Sequence, residues 1–169
     1  MRRHVSRRSA AGLLALGSTL GVLAGCGFRL RGTTALPFRR LRLGFDALSP
    51  QGQELRRQLA AVPDLQLVED PRQADALFDV LEDSFNRTVS TRTAAGQVRE
   101  LSLTARLRFR LRTADGEDWL RETTIEQNQL MSYNETAALA KESEEAQLAR
   151  SMREDIAAQV VRRLAALQR

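Results

Sequence analysis

From Leu101 to Arg112 the chain alternates without a break. Leu101, Leu103, Ala105, Leu107, Phe109 and Leu111 are apolar, and Ser102, Thr104, Arg106, Arg108, Arg110 and Arg112 lie between them. A period of two held this long predicts a strand with one buried face and one wet face. Thr93–Gln97, with Gly96 able to supply a positive φ, predicts a hairpin before it, and Ala114-Asp115-Gly116 a second one after it. Those turns make Ala74–Ser90 and Trp119–Met131 the flanking strands, the first with Ala76, Phe78 and Val80 on its apolar face.

Upstream, Leu41, Leu43 and Phe45 alternate with Arg40 and Arg42, so Phe38–Phe45 reads as a strand. Ser49-Pro50 starts a helix, serine as N-cap and proline at the first helical position, and Pro63 stops it. Leu55, Leu59 and Val62 form its apolar side, and Leu65–Val68 follows as a short strand. Strand, helix, strand in that order implies a parallel pair joined by a right-handed crossover. At the other end of the chain, Asn134 is placed to cap a long helix. Its apolar stripe is Ala149, Met152, Ile156, Val160, Leu164 and Leu167, and Arg162 and Arg163 lie near its end as the helix dipole prefers. The fold class is α/β of the α+β type: two layers, a mixed and mostly antiparallel sheet of about five strands, and two helices on one face.

The first 25 residues follow a different pattern. Arg2, Arg3, His4, Arg7 and Arg8 precede an apolar run, Leu13–Val22, of about ten residues, too short to span a bilayer. A basic leader, a short apolar segment and small residues before a cut site describe a secretory signal peptide. Leu23-Ala24-Gly25-Cys26 at its end resembles the bacterial lipobox, which implies acylation of Cys26 and removal of residues 1–25. On the bland alternative Cys26 is an ordinary small residue in an uncleaved leader. Gly27 stands where an aspartate would favour inner-membrane retention, which points to the outer membrane. The organisation is then a signal peptide (1–25), a lipidated linker (26–37) and one domain (38–169).

Removing the leader changes the charge picture. The whole chain carries a net +5, but four of its 26 basic residues and none of its 21 acidic ones lie in the leader, leaving 22 against 21. A nearly neutral domain does not fit counterion-driven nucleic-acid binding, and no nucleic-acid partner is expected. The only histidine, His4, and the only cysteine, Cys26, are both spent in the leader and the anchor. The usual general base, zinc ligands and thiol nucleophile are therefore missing. No enzyme, catalytic residue, metal or cofactor is expected beyond the covalent lipid on Cys26. A hydrolase using serine and aspartate without histidine is the one enzymatic rival.

Cys26-Gly27-Phe28-Arg29-Leu30-Arg31-Gly32 is similar to the mature start of the LPS-assembly lipoprotein family LptE. The last helix resembles the same family through Ala138-Leu139-Ala140-Lys141, Glu144-Glu145, Met152, Asp155-Ile156-Ala157 and Arg162-Arg163-Leu164. The resemblance implies an outer-membrane lipoprotein, anchored on the periplasmic side. It would sit within the lumen of the β-barrel protein LptD as plug and assembly aid, and bind lipopolysaccharide on its way to the cell surface. A lipid-anchored module serving another envelope transport or secretion assembly is the alternative.

Carried over residue by residue, the family's lipopolysaccharide contacts fall on Lys141 and, less directly, Arg92. Each has a bland reading beside it: Lys141 paired with Glu145 one turn on, Arg92 a solvated residue beside a loop. The arginine row is a third candidate, since next-but-one strand neighbours lie about 6.6–7 Å apart, a spacing suited to several phosphates. With a three-residue loop, Arg112 faces Asp118 and Arg108 faces Glu122 in cross-strand ion pairs. Arg106 and Arg110 are then left unpaired as the remaining candidates.

Overall fold

The unbroken alternation of Leu101–Leu111 makes the centre of a five-stranded sheet. A computed structural model describes residues 36–167; the signal peptide, Cys26 and most of the linker lie outside the described residues. The strands are β1 (Arg40–Leu43), β2 (Gln66–Leu67), β3 (Ala76–Arg92), β4 (Val98–Thr113) and β5 (Asp118–Ser132), in the order β2-β1-β3-β4-β5. The helices are α1 (Pro50–Leu59) and α2 (Ala138–Ala166). β4 pairs antiparallel with both long neighbours, and all six of its apolar odd-numbered residues are buried.

The expected parallel pair is present, with Arg40 opposite Gln66 and Leu41 opposite Leu67. β1 also pairs in parallel with β3 on its other side, Leu41 opposite Ala76 and Leu43 opposite Phe78. β1 is shorter than the eight residues predicted, yet Phe38 and Phe45, just outside it, are buried with Leu41 and Leu43. The strand ends at Gly44, whose N–H donates to Phe78 O at 2.8 Å. A side chain there would put its Cβ 2.8 Å from the same carbonyl, so the close approach requires glycine.

Ser49 caps α1 as expected, its Oγ accepting from Gly52 N–H at 2.8 Å. The helix ends at Leu59 rather than running to Pro63. Two tighter bonds, Ala61 N–H to Gln58 O and Val62 N–H to Leu59 O, unwind it first. The reason is steric: the residue before a proline is pushed out of the helical region. Leu55, Leu59 and Val62 are buried nonetheless.

At α2 the expectation needs correcting. Asn134 accepts from Thr136 N–H at 3.0 Å, but it caps a single 3-10 turn, Glu135–Ala137. The α-helix begins after that turn, at Ala138, with no side-chain cap on Ala137. Its stripe of Ala149, Met152, Ile156, Val160 and Leu164 is buried, joined by Ala157, and Leu167 packs against the edge of the core. Across the helix pair, Gln51 and Gln58 of α1 donate to the Arg153 and Glu154 carbonyls of α2 at 3.2 and 3.1 Å. Phe45, Phe78 and Phe109 stack in series, Phe78 and Phe109 with centroids 4.6 Å apart. Each such buried side chain contributes about 1.5–3 kcal/mol.

β3 keeps Ala76 and Phe78 buried and Val80 packed on the core, as expected. An irregularity between Val80 and Glu82 then shifts the register. Beyond it Asp83, Phe85, Arg87 and Val89 lie opposite the buried Leu107, Ala105, Leu103 and Leu101. The side-chain alternation of β3 thus changes from even to odd halfway along the strand.

Candidate functional site

β1, β2, β3 and β5 run one way and β4 the other, so the domain has two distinct ends. The near end holds Phe38, the starts of β1, β3 and β5, and the loop Ala114–Glu117. The far end holds the hairpin after Arg92, the end of β5 and the start of α2. Thr91 pairs with Glu100, and Glu100 with Ser132. Lys141 Nζ donates to Ser132 Oγ at 3.0 Å. The two residues carried over by resemblance, Lys141 and Arg92, therefore share the far end, and the strand positions they adjoin, Ser132 and Thr91, lie two strand spacings apart, roughly 10 Å.

Lys141 is not the loose surface lysine of the bland reading, nor does it pair with Glu145. Its Nζ reaches Glu144 at 2.7 Å, and its side chain is only 18% exposed. Glu145 turns the other way and accepts from Arg87 of β3 at 3.0 Å. The ammonium is thus held by two oxygens with one of its three N–H donors left over. Arg92 donates to Gly96 O at 3.0 Å across its own hairpin and has no carboxylate partner among the described residues. Gly96 adopts the positive φ expected of it, 82°.

The far end also gathers residues that the sequence did not single out. A cleft of about 190 Å³ is lined by Val98, Arg99, Tyr133, Asn134, Glu135 and Thr136, among others. Arg99 is exposed and, like Arg92, has no carboxylate partner among the described residues. Leu139 and Leu130, each two residues before a Lys141 contact residue or Lys141 itself, are 83% and 61% exposed. The available signal was position: Arg99 and Tyr133 flank the predicted hairpin and cap.

The arginine row of β4 corrects the sequence reading. Neither Arg106 nor Arg110 is unpaired. Arg106 donates to Glu126 of β5, with Nε at 2.8 Å, and Glu82 of β3 lies at 4.0 Å. Arg110 donates to Asp79 of β3 at 3.1 Å. Arg112 does lie opposite Asp118, but its guanidinium turns to Asp79 at 2.6 Å. Arg108 reaches Glu122 at 2.8 Å as expected, although its register partner is Thr124. Register shifts between Phe109 and Arg112 bring Glu126 of β5 opposite Arg106, and Arg110 finds its partner on β3, outside the β4–β5 hairpin. Burial pushes the Asp79 carboxyl up, but the hydrogen bonds from Arg112 and Arg110 outweigh it and hold the group below its ordinary value. The Glu122 hydrogen bond raises the Arg108 guanidinium, and the Asp79 hydrogen bond that of Arg112.

Ser49 donates to Asp83 at 2.6 Å while accepting from Gly52, so both its roles are structural. The Ser49–Asp83 pair is thus the joint between β3 and α1.

What the geometry defines is a two-layer α/β domain, closely packed at one end and more open at the other. The family description "LptE: Lipopolysaccharide-assembly" matches residues 44–164. The LPS-assembly lipoprotein LptE of Pectobacterium atrosepticum is 32% identical over 154 residues, covering 89% of this chain and 83% of that protein. An uncharacterised lipoprotein B of Nitrosomonas europaea, solved by NMR, superposes with a TM-score of 0.72 at 25% identity, covering 84% of this chain and 92% of the other. A minor lipoprotein of Acinetobacter baumannii shares the fold at a TM-score of 0.64 and 22% identity, over 79% of this chain and 96% of that one. The chain belongs to the LptE family of lipopolysaccharide-assembly lipoproteins.

Proposed function

We propose that the protein is held at the outer membrane by acyl chains on Cys26. It inserts its sheet into the lumen of an LptD-type β-barrel as plug and assembly aid, and presents Lys141 and Arg92 to lipopolysaccharide. The observation that carries this reading is the distance along the sheet between the near end, where the described chain begins, and the far end, where Lys141 and Arg92 lie. β3, with 17 residues, is about 50 Å long at the usual rise per residue. That exceeds the roughly 30 Å hydrocarbon core of a bilayer.

Two further features support it. A barrel lumen is polar, and the wet face of the sheet offers it arginines already neutralised by Asp79, Glu82, Glu122 and Glu126. Lipopolysaccharide joins phosphates to acyl chains, and the far end sets spare cations beside the exposed Leu139 and Leu130. No catalytic role is needed.

The test uses the acyl-free chain with Cys26→Ser. Charge-assisted hydrogen bonds contribute about 1.5–3 kcal/mol each. Lys141→Asp with Arg92→Asp should therefore weaken lipopolysaccharide binding by at least about tenfold, with circular dichroism and barrel co-purification unchanged. An unaltered dissociation constant would remove the pair as the contact site. A tagged chain that brings down no β-barrel from detergent-solubilised outer membrane would favour another envelope assembly. In cells, Cys26→Ser should abolish palmitate labelling and outer-membrane fractionation.

A further inference from the structure

One edge of the sheet is left open where a strand could be added. β1 meets β3 only from Leu41–Leu43 to Ala76–Phe78, with the Gly44 bond to Phe78 O as its last rung. Beyond that, among the described residues, no backbone group bonds to β3 on the side away from β4, although the strand runs on to Arg92. The chain departs because Ser49 is fastened to Asp83 and α1 then turns back toward the near end.

The last rung also identifies which groups face outward. Phe78 directs its carbonyl at β1 while its side chain lies in the core. In a strand of given direction, residues on one face all turn N–H and C=O to the same lateral side. Past the register shift the residues on the core face are Asp83, Phe85, Arg87 and Val89. Their backbone groups therefore point to the open edge, while Ser84, Asn86 and Thr88 are bonded to β4.

The side chains along this edge select a partner. Phe85 and Val89 are 39% and 41% exposed, and Arg87, between them, is more than half exposed despite its bond to Glu145. From Ser84 to Arg92 there are two arginines, no carboxylate and no proline. The opposite edge strand, β5, instead carries Asp118, Arg121, Glu122 and Glu126, of mixed sign. An unpaired row of backbone groups is a template for strand addition. We infer that the β3 edge from Phe85 to Val89 docks an extended strand of a partner protein whose side chains on this face run apolar, acidic, apolar. The apolar residues lie against Phe85 and Val89 and the carboxylate meets Arg87. A second copy of the chain is disfavoured, because self-pairing brings two doubly positive edges together. The inference goes beyond the proposed function and requires neither a barrel nor lipopolysaccharide.

The test is amide hydrogen exchange by NMR on the acyl-free chain, with a blocked heptapeptide as probe. The peptide alternates threonine with valine, glutamate and valine in turn. The Phe85, Arg87 and Val89 amides should slow at least tenfold, whereas Asn86 and Thr88, already bonded to β4, change little. A peptide with lysine for glutamate should slow them less than threefold, and Arg87→Glu should reverse that preference. Val89→Pro removes one outward N–H while sparing the β4 ladder, and it should abolish the effect with circular dichroism unchanged. The inference is overturned if the glutamate peptide at millimolar concentration slows none of the three amides, if both peptides act equally, or if protection appears on β5. Protection that needs no peptide also overturns it, assigning the edge to a second copy where it grows with protein concentration and to the chain's own amino-terminal segment where it does not.

Discussion

The two ends of the molecule are built on opposite terms. At the near end both helices cover the sheet, the three phenylalanines stack, and Gln51 and Gln58 lock α1 to α2. At the far end β3 has lost its β1 neighbour, Phe85 and Val89 are half open, and Arg92 and Arg99 have no carboxylate partners among the described residues. The near end holds most of the stacked core, and the far end holds apolar and charged groups that stay exposed. Stability and recognition are thus separated along the strands rather than mixed in one pocket.

That separation is broken most severely at the near end. Phe109→Ala or Phe78→Ala should destabilise by about 3–5 kcal/mol, read by denaturant unfolding, because each leaves a cavity in a stacked core. Such a loss approaches the whole stability of an ordinary domain. A melting curve that does not move would invert the assignment of the buried face.

Asp79→Asn should cost less, about 1–3 kcal/mol, by leaving Arg110 and Arg112 without their charge partner. Its pH counterpart has a definite sign. The Asp79 and Asp75 carboxyls are held below their ordinary value of 3.8, so their contribution is fully present above it. It is lost as pH falls through the lowered values. Acid unfolding monitored below about pH 4 should therefore become less steep in Asp79→Asn.

The smallest stability effects belong to the far end. Lys141→Ala should shift stability by less than about 1 kcal/mol, since its ion pair with Glu144 is near the surface. Reversing Arg106 and Arg110 together should reduce lipopolysaccharide binding less than the Lys141 and Arg92 pair does. A larger loss from the β4 pair would move the contact site onto the wet face of the sheet.

The same division explains what the sequence made legible. β4 could be read residue by residue because its buried face is written locally in a period of two. The α2 stripe and the Ser49 cap were equally local. Arg106 was misread because register shifts between Phe109 and Arg112 bring Glu126 of β5 opposite it, and Arg110 because its partner, Asp79, sits on β3, far away in the chain. The change of face along β3 left no mark either, since Leu81 at the irregularity is apolar like Val80 before it. Asn134 did start a turn, but the turn closed as 3-10 before α2 began. At the far end Lys141 and Arg92 came from resemblance. What geometry adds is the second anchoring oxygen of Lys141, from Ser132, and the company of Arg99.

The path of α2 has a practical corollary. It starts beside Ser132 at the far end and runs back along the sheet for 29 residues, about 43 Å. It ends where Phe38 and the first strand begin. Cargo fused after the last helix therefore hangs at the near end of the sheet. An affinity handle or fluorescent reporter can be added there without blocking Lys141, Arg92 or the open edge of β3.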